Sequence, residues 1–204
     1  MRSIFILTAL AAFAVPAHAD NLGSRRQQYD AITRINKGVF QLGVDSTLIL
    51  GYSAEGDSSL LRANLAGNLA LRYFPRNNLG ISLRGGGIVR KAGDATDHAF
   101  ALTAWVDAYL RLGEGMFFVP GIGAGALFGS REVPAGPGQI AEASQVGGIA
   151  AAELLLTVFL NHRFSLAAGP QLTSSFGSTT PEAGDSTSFV AIDGGFQVGA
   201  AYSF

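Results

Sequence analysis

The chain has 204 residues, with 14 lysines and arginines against 15 aspartates and glutamates and no cysteine. That near-neutral balance argues against a nucleic-acid partner, and the missing cysteines exclude a disulfide framework. Apolar residues make up 48% of the chain, yet no stretch beyond the N-terminal segment is long and apolar enough for a transmembrane helix, which needs roughly 20 such residues.

The chain opens MRSIFILTALAAFAVPAHA. Arg2 supplies a positive start, residues 4–15 an apolar stretch, and Ala17-His18-Ala19 a small-x-small cleavage site, so residues 1–19 read as a secretory signal peptide. Without Arg2 the mature chain keeps 13 of the 14 basic residues against 15 acids, a net charge of −2. Residues 20–37 read as a periplasmic leader. Within SRRQQYDAITRINK, Tyr29, Ile32 and Ile35 recur at three-residue spacing among basic groups. A short amphipathic helix fits this pattern, and a partly ordered lead-in to the first strand fits it equally.

From residue 38 onward the period changes to two, the side-chain alternation of a strand. Eight segments follow: Val39–Ser53, Leu61–Phe74, Leu79–Arg90, Phe100–Leu112, Met116–Gly129, Val146–Leu160, Phe164–Phe176 and Phe189–Phe204. In the second, Leu61, Ala63, Leu65, Leu69, Leu71 and Tyr73 alternate with Arg62, Asn64, Asn68, Arg72 and Phe74. In the last, Val190, Ile192, Phe196, Val198, Tyr202 and Phe204 alternate with Asp193, Gln197 and Ser203. The connectors alternate too. PRNN, GEG and NHR are short, whereas AEGDSS, KAGDATDH, SREVPAGPGQIAEASQ and GSTTPEAGDSTS are long. Short turns on one side and long loops on the other are the habit of transmembrane barrels, so residues 38–204 are expected to form an all-β, eight-stranded antiparallel up-and-down transmembrane β-barrel.

Signal peptide, alternating strands, turn asymmetry and a final Phe204 preceded by Tyr202 and Phe196 together resemble the small eight-stranded outer-membrane barrels of Gram-negative bacteria, the OmpA transmembrane domain and OmpX type. The resemblance covers nearly all of the mature chain and is architectural. It implies an outer-membrane address after signal-peptide cleavage and contact with outer-membrane lipid and lipopolysaccharide. It also implies assembly by the barrel-assembly machinery, with Phe204 as the recognition residue and Tyr202 and Phe196 in support. No cofactor is implied, and a monomer is expected.

Aromatics near strand ends, Phe40, Tyr52, Tyr73, Phe100, Phe118, Phe128, Phe164, Phe176, Tyr202 and Phe204, read as interfacial girdles. Pro120 and Pro170 take the outward parity, where a bulge or a ladder break would accommodate them. The inward parity collects Asp45, Arg62, Arg72, Arg84, Arg90, Asp107, Arg111, Glu153 and Asp193. These charges form either a permeation pathway or a network of ion pairs. An eight-stranded interior is just wide enough for side chains, which favours the network.

Catalytic signals are weak. His162 falls in a short turn, and His98, next to Asp97 near the outer rim, has no nucleophile singled out for it. Gly85-Gly86-Gly87 lies inside a strand and precedes no helix, so it is no phosphate loop, and no His or Cys cluster has metal-ligand spacing. The expected function is therefore a non-enzymatic structural or surface-interaction role through the long third and fourth loops. A narrow low-conductance channel is the alternative, followed by a lipid A modifying enzyme.

Overall fold

Alternating apolar residues leave one face of every strand needing a dry environment and the other needing polar company. The computed structural model describes residues 35–55, 58–92, 95–136, 139–181 and 185–204, with backbone alone for 49–55, 58–65, 90–92, 95–97, 132–136 and 139–141. It satisfies both faces with a closed barrel. The strands are β1 Phe40–Glu55, β2 Ser58–Arg76, β3 Leu79–Ala92, β4 Ala95–Ala108, β5 Leu110–Gly113, β6 Met116–Gly136, β7 Gln139–Phe159, β8 Phe164–Pro181 and β9 Thr187–Ser203. All pairings are antiparallel, β5 continues β4 along the wall, and the β4–β6 pairing completes a ring of eight positions. The first strand meets the last from Gln41↔Ser203 to Glu55↔Phe189. Phe204 N–H donates to Phe40 O at 3.0 Å and Phe40 N–H returns the bond at 3.3 Å.

Proline explains why eight wall positions contain nine strands. The register runs to Asp107↔Gly121 and resumes at Leu110↔Phe118, so Ala108 faces Pro120, which has no N–H to offer. On the other side of β4, Tyr109 N–H donates to Asn78 O at 2.8 Å and continues the β3–β4 register. Beside Pro170 the β7–β8 ladder lapses between Glu153↔Gln171 and Leu156↔Ala168 and resumes in the same register. Both prolines are accommodated by a ladder break rather than a bulge.

The short turns carry residues suited to them. Asn78 adopts φ 59° in the β2–β3 turn and Gly115 φ 64° in the β5–β6 turn, conformations that asparagine and glycine tolerate best. Asn161 Oδ1 accepts from the N–H groups of Arg163 and Phe164, each at 2.8 Å. At the opposite end the strands run further than the alternation suggested. β6 and β7 stay paired as far as Gly136↔Gln139, so most of the segment read as a long third loop is a β-ribbon. Its neighbours stop earlier: β4 pairs with β6 only up to Asp97↔Arg131, and β8 with β7 up to Ala143↔Pro181.

No helix among the described residues is long and apolar enough to cross a membrane. The outer face of the strands is an apolar belt in which Leu69, Ile122 and Leu172 are 56%, 68% and 56% exposed. Phe40, Tyr73, Tyr202 and Phe204 gather at its short-turn edge, while Phe100, Phe128 and Phe176 lie exposed towards the other. Phe118 and Phe164 are half-buried, and the side chain of Tyr52 lies outside the described ones. The signal-peptide assignment and most of the leader also fall outside the described residues. The leader's end is visible, and Ile35 is only 5% exposed.

If the belt faces hydrocarbon, charge is costly at mid-depth and cheap near the rim. Leu69→Arg is expected to destabilise the barrel by about 2–4 kcal/mol and Leu112→Arg, next to a short turn, by about 0–1 kcal/mol. Denaturant unfolding in lipid vesicles measures both, and equal costs would show that depth does not matter.

Candidate functional site

Three layers of side chains fill the lumen. At the short-turn end Ile35, Phe74, Tyr109, Phe117, Val119, Leu155 and Phe159 form an apolar plug. Its rings meet edge to face, with centroids 5.3 Å apart for Phe74 and Tyr109, 6.0 Å for Tyr109 and Phe117, and 5.6 Å for Phe117 and Phe159. The leader contributes directly: Ile35 N–H donates to Asn78 Oδ1 at 2.7 Å and Asn78 N–H donates back to Ile35 O at 3.0 Å. At the long-loop end Ala66, Ile88, Ala101, Leu127, Ile149 and Phe189 form a second apolar layer.

Between the two lies a charged belt, placed by register. Gly121 on β6 pairs with Asp107 on one side and Glu153 on the other, which sets two carboxylates one strand apart with no side chain between them. A Cβ on Gly121 would come within 2.6 Å of Asp107 Oδ1 and 3.1 Å of Glu153 Cγ. Arg84 reaches both acids from β3. Its Nη1 and Nη2 donate to Glu153 Oε2 and Oε1 at 2.7 and 2.6 Å, and Nη2 lies 3.4 Å from Asp107 Oδ1. The fork-on-fork geometry is the strongest form of an arginine–carboxylate contact. The guanidinium also stands 4.0 Å from the centre of the Trp105 ring, whose Nε1–H donates to Thr103 Oγ1 at 2.8 Å.

Arg72 extends the belt. Its Nε donates to Asp107 Oδ2 at 2.8 Å and its Nη1 to Gln41 Oε1 at 3.2 Å, while Gln41 Nε2 donates to Ser203 Oγ at 3.0 Å. One bonded path thus joins β9, β1, β2, β4, β3 and β7 across the lumen. Asp107 and Glu153 have essentially no exposed surface. Two carboxylates this close and this dry persist because two guanidinium groups neutralise them.

The remaining charges assigned to the lumen fare differently. Asp45 accepts from Asn68 Nδ2 at 2.7 Å and borders a cavity of ≈ 40 Å³ shared with Arg72, Arg84 and Gln197. That space holds about one to three waters. Asp193 is buried and engaged. The side chains of Arg62 and Arg90 lie outside the described ones. Arg111 is a correction: its parity is inward, but it lies beyond the aromatic plug, exposed at the short-turn rim, with Nε donating to Gly113 O at 3.3 Å. Alternation reports which side of the wall a residue takes and says nothing of its depth.

The aromatic plug was not foreseen. Its signal was the inward parity of Phe74, Tyr109, Phe117 and Phe159, opposite to their apolar outward neighbours. Phe196, Tyr202 and Phe204 all point outward. His98 is exposed and pairs with Val89 and Ser130, and His162 is exposed in its turn. Among the described residues no three His, Cys, Asp or Glu side chains are grouped to hold a metal.

No protein-family model and no curated protein matches the sequence. Solved structures do match the fold. Neisserial surface protein A, NspA, superposes with a TM-score of 0.53 at 13% identity, over 82% of this chain and 100% of that one. Ail, the attachment invasion locus protein of Yersinia pestis, superposes with a TM-score of 0.50 at 17% identity, over 82% of this chain and 99% of that one. The chain therefore shares the fold of small eight-stranded outer-membrane β-barrels.

If the belt holds the wall through paired charges, stranding one partner is worse than crowding it. Glu153→Ala leaves Arg84 without its bidentate partner and is expected to cost about 3–5 kcal/mol. Gly121→Ala forces the carboxylates aside at about 1–3 kcal/mol, while Gly87→Ala, with nothing within 4 Å of the new Cβ, is near neutral. Unfolding midpoints in detergent rank the three, and an unchanged midpoint for Glu153→Ala would show that the pair does not hold the wall.

Proposed function

We propose that this chain is a non-enzymatic barrel of the Gram-negative outer membrane whose work is done by what it presents at its long-loop end. The observation that carries this reading is the lumen, filled among the described residues by apolar layers at both ends and ion pairs between them. The same filling speaks against a narrow channel. The β6–β7 ribbon supports a surface role, because residues 132–136 and 139–142 pair only with each other among the described strands. Their outer edges keep backbone N–H and C=O groups available to a partner. Ail, similar in fold, is the attachment invasion locus protein of Yersinia pestis, and attachment is the kind of surface interaction such a ribbon suits. Lipopolysaccharide surrounds the base of the ribbon in this reading, and the barrel-assembly machinery reads the strand ending in Phe196, Tyr202 and Phe204.

Arg131 and Ala143 are register partners, so residues 132–142 can be replaced by a two-residue Asn-Gly turn of the type that closes hairpins. The trimmed barrel should still show the gel shift on boiling that marks a folded barrel. Cells carrying it should attach to host-cell or matrix surfaces less than cells carrying the full chain. Equal attachment would refute the surface role of the ribbon. A change in lipid A mass that appears with the protein and disappears with His98→Ala would refute the non-enzymatic reading.

A further inference from the structure

The short-turn end carries a charge pattern that neither the lumen nor the ribbon explains. Lys37, Arg76, Arg111 and Arg163 are exposed there, and Glu114 is the one acidic side chain among the described residues of that rim. Three of the cations bracket one arc of the wall. Where β8, β9, β1 and β2 run side by side, Tyr202, Phe204, Phe40 and Tyr73 form a continuous aromatic patch, with centroids 6.5, 6.4 and 4.8 Å apart along the row. At its β8 end Arg163 Nη1 donates to Tyr202 Oη at 3.2 Å. At its β2 end Lys37 N–H donates to Asn77 Oδ1 at 2.9 Å, which ties Lys37 to the turn that follows Arg76.

Rings and cations in this order match the layers of a lipid. Aromatic side chains settle at the boundary between acyl chains and headgroups, and long basic side chains reach past it while their stems stay on apolar surface. The bond from Tyr202 takes only one of the five guanidinium donors of Arg163, so the group is held at headgroup depth with donors to spare. Arginine pairs with phosphate through two parallel bonds. The connectors of the opposite end are acidic by sequence, with Glu142 and Asp185 among their exposed residues, so the preference for an anion is local to the short-turn rim. We infer that this arc, flanked by Arg163 on one side and Arg76 with Lys37 on the other, is a seat for the phosphate of an anionic phospholipid in the leaflet that the short turns face. The inference rests on the membrane reading above.

The mature barrel, refolded in detergent and confirmed by its gel shift, is given phosphatidylglycerol or phosphatidylethanolamine at equal mole fraction, and the lipid retained is read by native mass spectrometry. Phosphatidylglycerol should be retained preferentially. Each of Arg163→Gln and Arg76→Gln should cut that preference about fivefold, and Arg111→Gln, away from the aromatic arc, much less. Added salt should weaken the preference, while inorganic phosphate at matched ionic strength should displace no more lipid than chloride. Equal retention of the two lipids by a barrel that has folded would overturn the seat while leaving the membrane reading intact. So would a preference that survives both arginine substitutions, or displacement by free phosphate, which would assign the site to a soluble anion. A chain that never gives the gel shift of a folded barrel would instead sink the membrane reading itself.

Discussion

Everything in this structure follows from the need to pair every backbone N–H and C=O in a medium that offers no water. An unpaired group in hydrocarbon costs several kcal/mol, so a sheet that crosses a bilayer has to close on itself. The β1–β9 ladder meets that demand along its whole length. It also does what disulfides cannot do in a chain without cysteine. Closure at eight positions in turn dictates a narrow interior, and a narrow interior has to be filled by side chains that satisfy one another.

The filling is where polarity and geometry meet. Arg84 is too long and too charged for an apolar core, yet between Asp107 and Glu153, with no side chain on Gly121 to crowd them, it links carboxylates from two strands separated by a third. The apolar layers on either side keep water from competing for those bonds. A buried ion cluster of this kind adds little net stability over an apolar filling. What it contributes is register, since a one-residue slip of β7 would turn Glu153 to the outer, apolar face.

The wall was legible because its code is binary. Leu69, Leu71 and Tyr73 alternating with Asn68, Arg72 and Phe74 reveal which face meets lipid whatever the tertiary structure. Depth and register were not legible. Arg111 obeys the alternation and still lies outside the lumen, because nothing local marks where the plug ends. The row Asp107, Gly121, Glu153 exists only once three strands are aligned, and the break at Tyr109 follows from Pro120 on a different strand. The connector SREVPAGPGQIAEASQ reads as a long loop because its apolar alternation lapses, whereas strand pairing runs on to Gly136↔Gln139. Ile35 fits a helical repeat and a lead-in to the first strand equally by sequence, and the structure uses it as the last piece of the short-turn plug.

The central claim is that the lumen is closed by side chains, and electrical conductance addresses it most directly. A single barrel in a planar bilayer should pass no steady current across the physiological range of voltage, and Arg84→Ala should destabilise the fold without opening a selective path, since both apolar layers remain. Steady single-channel steps from the unaltered barrel, with ion selectivity that changes on substitution of Arg84 or Glu153 while the unfolding midpoint stays the same, would contradict the account.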